Sequence, residues 1–291
     1  MRKAEEGGNL DSTNTIANEV SCRKACYISG WGYSAGVFAD WSLGEENCCF
    51  DLPELSRTSS LRSGSGSLFL SSWARLSPWA QGLAVVLENE CPEVLVAWSM
   101  GAIVALELLL SEMEFLRNTG ISRLVLLAPT LSFVARPGWD AGQNPSVLRA
   151  MLMSYRRKPQ STLRAFALSC SAGRTDTVLA GDYLLGDTVA DALADQLDYL
   201  SAIDLRSGVF QAALESSPQL LLIHGDKDTI IPGKASSELG LLISQSQFVE
   251  LEGESHLLPL SCRARQVAEN WCKGQGILTS TVVFGGEVDC A

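Results

Sequence analysis

Short apolar runs alternate with longer amphipathic stretches along most of the chain. Residues 25–28 (ACYI), 48–50 (CCF), 94–97 (VLVA), 123–128 (RLVLLA), 219–223 (QLLLI) and 247–251 (QFVEL) have the length and content of buried strands. Residues 78–89, 101–110 (GAIVALELLL), 234–244 and 261–273 have the length and the Ala/Leu/Glu content of helices. Strand alternating with helix predicts an α/β fold, with a mostly parallel central sheet flanked by helices. Three stretches depart from the pattern. Residues 1–20 carry no apolar period and read as a flexible tail. Residues 56–72 are rich in Ser, Gly and Arg and read as a loop. Residues 133–206 are helical by propensity, interrupted by Pro137, Pro145 and Pro159, and fall between two core strands as an insertion. The predicted organisation is therefore a tail (1–20), a core (21–133 and 207–273), an inserted helical lid (134–206) and a C-terminal tail (274–291).

Composition narrows the class. Hydrophobic residues make up 46% and charged residues 19% of 291, which suits one globular core carrying an insertion. The first twenty-five residues lack the apolar stretch of a secretory signal, and no apolar run reaches the length of a membrane span. Nine cysteines without paired C-x-x-C spacing suggest neither a disulfide framework nor a zinc site, so a reducing cytoplasm is expected and no metal. Adjacent Cys48 and Cys49 read as buried strand residues rather than a redox pair. The net charge of −11 argues against nucleic acid and anionic membranes as partners, and a monomer is expected.

The strongest chemical signal is Ala97-Trp98-Ser99-Met100-Gly101, placed where a strand turns into a helix. Small residues two before and two after the serine relieve the crowding of that turn, which projects the hydroxyl above the sheet. A serine hydroxyl becomes a useful nucleophile only when a base takes its proton and a third group holds that base. Of the two histidines, His256 lies in a loop after a strand (Gly253-Glu254-Ser255-His256), whereas His224 ends a strand and is expected to be satisfied by neighbouring backbone. The acid should lie between serine and histidine in chain order. Asp228 stands where the chain leaves the sheet ahead of Ile231-Pro232, and Asp226 is expected to hold backbone in the same turn. Gly30-Trp31-Gly32 after the first strand can offer the Trp31 amide to a developing oxyanion, beside the Met100 amide at the helix start. No cofactor is called for by such a set.

These motifs resemble those of the α/β-hydrolases, and within them the pimeloyl-acyl-carrier-protein methyl ester esterases of biotin synthesis. The elbow, the Asp loop and the His loop carry the first likeness. Phe133-Val134-Ala135-Arg136-Pro137-Gly138-Trp139 and the segment YLSAIDLR at 199–206 carry the second, together with Asp51-Leu52-Pro53. The resemblance implies an α/β-hydrolase fold with an inserted helical lid. It also implies an acyl-carrier protein as partner, with its pimeloyl methyl ester as substrate, and lid arginines that hold the acidic carrier. Residues 136–176 contain seven basic side chains (Arg136, Arg149, Arg156, Arg157, Lys158, Arg164, Arg174) against Asp140 and Asp176, a net +5 within an acidic molecule. Arg149, Arg156, Arg157 and Arg164 are the expected carrier contacts, with Trp31 and Phe166 at the substrate. Apolar Leu148, Met151, Leu152, Tyr155 and Phe166 fall at helical spacing and serve lid packing, an acyl channel or both. The sequence departs from the resemblance at Ser29, where histidine is usual, and after Asp51-Leu52-Pro53, where a glycine loop is missing. A general short-chain carboxylesterase and a non-catalytic binding protein on a hydrolase scaffold are the alternatives.

Overall fold

The computed structural model describes residues 22–62, 73–171, 181–208, 218–243 and 246–275. The apolar runs form strands β1 (Lys24–Ile28), β2 (Glu46–Phe50), β3 (Val94–Trp98), β4 (Arg123–Leu127), β5 (Gln219–Gly225) and β6 (Ser246–Leu251). All five pairings are parallel, in the order β2-β1-β3-β4-β5-β6. Parallel neighbours require crossovers. Helices α1 (Leu52–Arg62) and α2 (Pro78–Glu90) lie between β2 and β3, α3 (Met100–Ser111) and α4 (Met113–Asn118) between β3 and β4. Helices α5 (Pro145–Arg157), α6 (Pro159–Cys170) and α7 (Ala190–Ala202) lie between β4 and β5. Helix α8 (Gly233–Leu242) precedes β6 and α9 (Cys262–Cys272) follows it. None of the described helices is long and apolar enough to cross a membrane.

Successive strand residues divide between two apolar clusters. Cys26, Ile28, Leu95, Ala97, Leu124, Leu126, Leu220 and Leu222 belong to one, with α2 and α3. Ala25, Tyr27, Val94, Val96, Trp98, Val125, Leu127, Leu221 and Ile223 belong to the other, with α9. That two-sided burial is why the central strands read as unbroken apolar runs. From β1 the chain goes outward to β2, then returns to lay β3 on the opposite side and continues to the other edge. The β1/β3 boundary is thus the point where strand order reverses, and the loops at the carboxyl ends of such strands flank a crevice.

Two expectations are corrected here. The stretch read as a loop from residue 56 begins as helix, since α1 runs to Arg62, and residues 63–72 lie outside the described part. Among its described side chains only Leu52, Pro53 and Leu55 are buried, while Ser56, Thr58 and Ser59 return hydroxyl hydrogen bonds to backbone carbonyls within the turn. Cys48 and Cys49 do lie in a strand, but β2 is an edge strand, so Cys48 is half-buried and Cys49 exposed. The predicted tails fall almost wholly on residues 1–21 and 276–291, outside the described residues.

Helix α1 packs on α2 through Gly82, where an added Cβ would stand 1.8 Å from the carbonyl oxygen of Leu55. Because backbone cannot yield as a side-chain tip does, Gly82→Ala is expected to destabilise the fold by about 3 kcal/mol, read as a lower melting temperature. An unchanged melting temperature would mean that the two helices are not in this contact.

The Arg136 and Asp204–Arg206 segments, singled out by resemblance, sit at the two ends of the β4–β5 connection and tie them together. Arg136 donates to the carbonyls of Ser201 (2.8 Å) and Ala202 (2.9 Å) at the end of α7 and to Ser132 Oγ (2.9 Å). A guanidinium suits those carbonyls, which have no partner in the helix. Arg206 pairs with Asp204 (2.8 Å) and donates to the Pro137 carbonyl (2.9 Å), while the Leu205 amide donates to Leu131 (2.8 Å).

Candidate active site

Ser99 follows β3 directly and has φ 54° and ψ −119°, a conformation that L-residues rarely hold. The strain, on the order of 1–3 kcal/mol for such backbone, is held by the bonds on either side. The Ser99 amide donates to Leu127 on β4 (2.9 Å), and its carbonyl accepts from Ile103 in the first turn of α3 (3.1 Å). The small flanking residues are required by space. A Cβ on Gly101 would meet the Ser29 carbonyl oxygen at 2.5 Å, and one on Gly30 would meet the Trp98 ring at 3.0 Å. Since the first turn of a helix leaves its amides without intrahelical acceptors, the Met100 N–H is free to face an anion.

The loop after β6 brings His256 to Ser99, with Nε2 2.9 Å from the serine Oγ. On the other side of the ring, Nδ1 lies 2.6 Å from Asp228 Oδ2. The imidazole is fully buried and Ser99 is 5% exposed, so the line of three is dry. Asp228 is fixed at its second oxygen: Oδ1 accepts from the amides of Ile230 (2.7 Å) and Ile231 (2.8 Å). Burial pushes the Asp228 carboxyl up, but the His256 charge and hydrogen bonds from His224 and His256 outweigh it and hold the group well below the usual carboxylate range. With Asp228 ionised, Nδ1 of His256 is the protonated nitrogen and Nε2 is left as the acceptor facing the hydroxyl.

The other residues of the loop after β5 take supporting parts. Asp226 accepts from the Gly253 amide (2.6 Å), so it holds backbone, as expected, though across to the β6 loop rather than in its own turn. His224 Nε2 lies 2.9 Å from the Ile231 carbonyl and Nδ1 2.6 Å from Ser236 Oγ, the anticipated structural role. Its Nε2 also stands 3.3 Å from Asp228 Oδ2, a contact the sequence did not suggest. Trp98 was likewise passed over: its indole donates to the His256 carbonyl (2.9 Å), fastening the histidine loop to the residue before Ser99. Adjacency to Ser99 was the only signal for it.

Trp31, 2% exposed, lies early in the loop after β1; its indole donates to the Leu193 carbonyl on α7 (2.8 Å) and its ring meets Phe166 and Tyr155 edge-on at 5.0 and 5.5 Å. The Ser29 hydroxyl nearby is buried without a partner among the described residues. A cavity of about 580 Å³ opens between α5, α6 and the loop after Asp228, lined among others by Phe133, Leu148, Met151, Phe166, Thr229 and Ile230. Ser99 and His256 do not line it; of its lining residues, Ile230 donates its amide to Asp228 and Phe166 meets the Trp31 ring. Leu152 instead lines a smaller cavity, of about 320 Å³, between α5 and α7, and Tyr155 is core.

Arg149, Arg156, Arg157 and Arg164 are exposed on α5 and α6. Arg156 is neutralised by Asp198 at 2.9 Å, whereas Arg149, Arg157 and Arg164 have no ion pair among the described residues. Arg136 is committed to capping α7, and Arg174 lies outside the described residues. With Arg136 engaged at α7 and Arg156 at Asp198, the described part of the basic face is smaller than the sequence count.

Comparison with known proteins bears on this arrangement. A family model described as the alpha/beta hydrolase family matches residues 27–270. The pimeloyl-[acyl-carrier protein] methyl ester esterase of Yersinia pseudotuberculosis is 26% identical over 243 residues, covering 79% of this chain and 84% of that protein. The protein of the same name from Aeromonas salmonicida is 27% identical over 240 residues, covering 79% and 86%. Among solved structures, an esterase from Exiguobacterium antarcticum superposes with a TM-score of 0.67 at 19% identity, over 87% of this chain and 92% of that one.

Proposed function

The chain belongs to the alpha/beta hydrolase family, and on that premise we propose that it is a serine carboxylesterase whose substrate is the methyl ester of a pimeloyl group borne on an acyl-carrier protein. Ser99 is the nucleophile, His256 the general base and Asp228 the group that fixes the base. The observation that carries the reading is the single buried line from Ser99 Oγ to His256 Nε2 (2.9 Å) and from Nδ1 to Asp228 (2.6 Å).

As the Ser99 oxygen bonds to the ester carbonyl carbon, its proton passes to His256 Nε2, and Asp228 stabilises the imidazolium. The carbonyl oxygen becomes an anion that accepts from the Trp31 and Met100 amides. Collapse breaks the bond to the methoxy oxygen, which leaves as methanol with the proton from Nε2. Water then attacks the acyl-enzyme by the same route, releasing the free acid and restoring the serine.

The names of the Yersinia and Aeromonas relatives support the pimeloyl substrate. The largely apolar cavity beside Phe133 and Phe166 supports an acyl chain, with the β4–β5 segment as a lid over it. Exposed Arg149, Arg157 and Arg164 in a molecule of net charge −11 support an acidic carrier, because a local reversal of sign steers an oppositely charged partner. Reversing these three together (Arg149→Glu, Arg157→Glu, Arg164→Glu) is expected to lower kcat/KM for the pimeloyl-carrier methyl ester by about 100-fold at low salt and to leave a short nitrophenyl ester unaffected. Added salt should weaken only the carrier reaction of the unmodified enzyme. Equal turnover of both substrates, with no effect of charge reversal, would instead identify a general short-chain carboxylesterase.

A further inference from the structure

The loop that carries the Trp31 amide is held by the core on one side, where the Ser29 amide donates to Phe50 on β2 (3.3 Å) and the Ala35 amide to Asp51 Oδ1, and by the β4–β5 segment on the other. Two backbone hydrogen bonds join it to the β4–β5 segment: Leu185 N–H donates to the Gly32 carbonyl (2.9 Å) and Ser34 N–H donates to the Tyr183 carbonyl (2.8 Å). Tyr33 and Leu184 form an antiparallel bridge between them. The Trp31 indole adds a third bond, to the Leu193 carbonyl on α7, over 162 residues of sequence. Gly32 has φ +78°, and a Cβ there would stand 2.8 Å from Leu163 of α6, so α6 closes on the loop with no room for a side chain. Both amides follow strands paired on both sides, but Met100 opens a core helix directly after β3, whereas Trp31 lies in a loop that also touches the β4–β5 segment.

Of the two amides that would receive the oxyanion, Met100 is thus held by the core alone and Trp31 by the core together with the β4–β5 segment. We propose that the β4–β5 segment positions the Trp31 amide, through Leu185, Tyr183 and Leu193, so that stabilisation of the oxyanion depends on how that segment sits on the core. The proposal rests on the esterase reading given above. Its consequence is particular to rate: loosening the grip leaves ester binding intact and weakens only the interaction made when the carbonyl oxygen becomes negative. Whatever docks on the outer side of α5 and α6 then acts on kcat as well as on substrate capture.

Two variants remove different bonds of the grip. Trp31→Phe keeps an aromatic ring against Phe166 and Tyr155 but has no N–H for Leu193. Leu185→Pro removes the N–H given to Gly32, along with the leucine side chain that packs on the core, for which Leu185→Ala is the control. In each, kcat for a short nitrophenyl ester is expected to fall about tenfold, since loss of an oxyanion donor outright costs 10²–10³ and a displaced donor costs less, while KM stays within about twofold. Affinity for a trifluoromethyl ketone, which adds to the serine to give an oxyanion, should weaken by the same factor as kcat. If the unmodified protein hydrolyses esters and both variants, folded by circular dichroism, retain its kcat, or lose only KM, this proposal is overturned and the esterase reading stands. If the unmodified protein hydrolyses no ester, the esterase reading itself is lost.

Discussion

Ser99→Ala is expected to lower kcat for every ester by about 10⁶-fold, the scale found when a triad nucleophile is removed, and to abolish labelling by a fluorophosphonate probe. The change is confined to chemistry for structural reasons. Alanine meets the same left-handed penalty as serine at φ 54°, and the backbone bonds of this residue, to Leu127 and from Ile103, do not involve the hydroxyl. Only the 2.9 Å contact to His256 Nε2 disappears. Substrate affinity and melting temperature should therefore remain close to those of the unmodified protein, which separates loss of a nucleophile from loss of a fold. A variant that keeps more than about one hundredth of the activity, far above what an oxyanion site alone supplies, would place the nucleophile elsewhere. Absence of labelling in the unmodified protein would favour a binding role on the hydrolase scaffold.

How far the site could be read from the chain follows from the kind of interaction involved. Ser99, Asp228 and His256 each lie in the segment that follows a strand (β3, β5 and β6), at the edge where a parallel sheet collects such loops, so local signals suffice to find them. The strands were legible because both faces of β1, β3, β4 and β5 are buried, leaving runs such as QLLLI with no polar interruption. Helix α1 is hard to read from the chain because, among its described side chains, it buries only Leu52, Pro53 and Leu55, and serine-rich composition then mimics a loop. The exposure of Cys49 was missed because edge position is a property of strand order, which no single segment encodes. The largest gap lies in long-range polar contacts. Arg136 was read as part of a charged face but lies under the end of α7, and the bond from Trp31 to Leu193 joins residues whose sequence patterns show only a glycine turn and a helix. Pairings of that kind depend on where whole elements settle and leave no periodicity behind.

Asp228→Asn is expected to lower kcat by about 10⁴-fold with KM unchanged, and the environment of the carboxylate shows why an isosteric amide cannot substitute. Oδ1 accepts from the amides of Ile230 and Ile231 at 2.7 and 2.8 Å. An asparagine must keep its carbonyl oxygen there, because its NH₂ would face two N–H donors. The NH₂ group is thereby turned to His256 Nδ1, 2.6 Å away, and to His224 Nε2 at 3.3 Å. To accept that hydrogen bond, Nδ1 must lose its proton, and the neutral ring then carries its proton on Nε2, directed at Ser99. A nitrogen already protonated cannot take the proton of the hydroxyl, so the base is lost although every heavy atom keeps its place. Both backbone bonds survive the substitution, and the variant should fold. Fluorophosphonate labelling should slow in step with kcat, because both require the same proton transfer. Asp226 cannot step in, since its carboxylate is engaged by the Gly253 amide and by Lys227 Nζ at 2.6 and 2.7 Å. Activity within tenfold of the unmodified enzyme would therefore mean that the His256 tautomer is set by something other than Asp228.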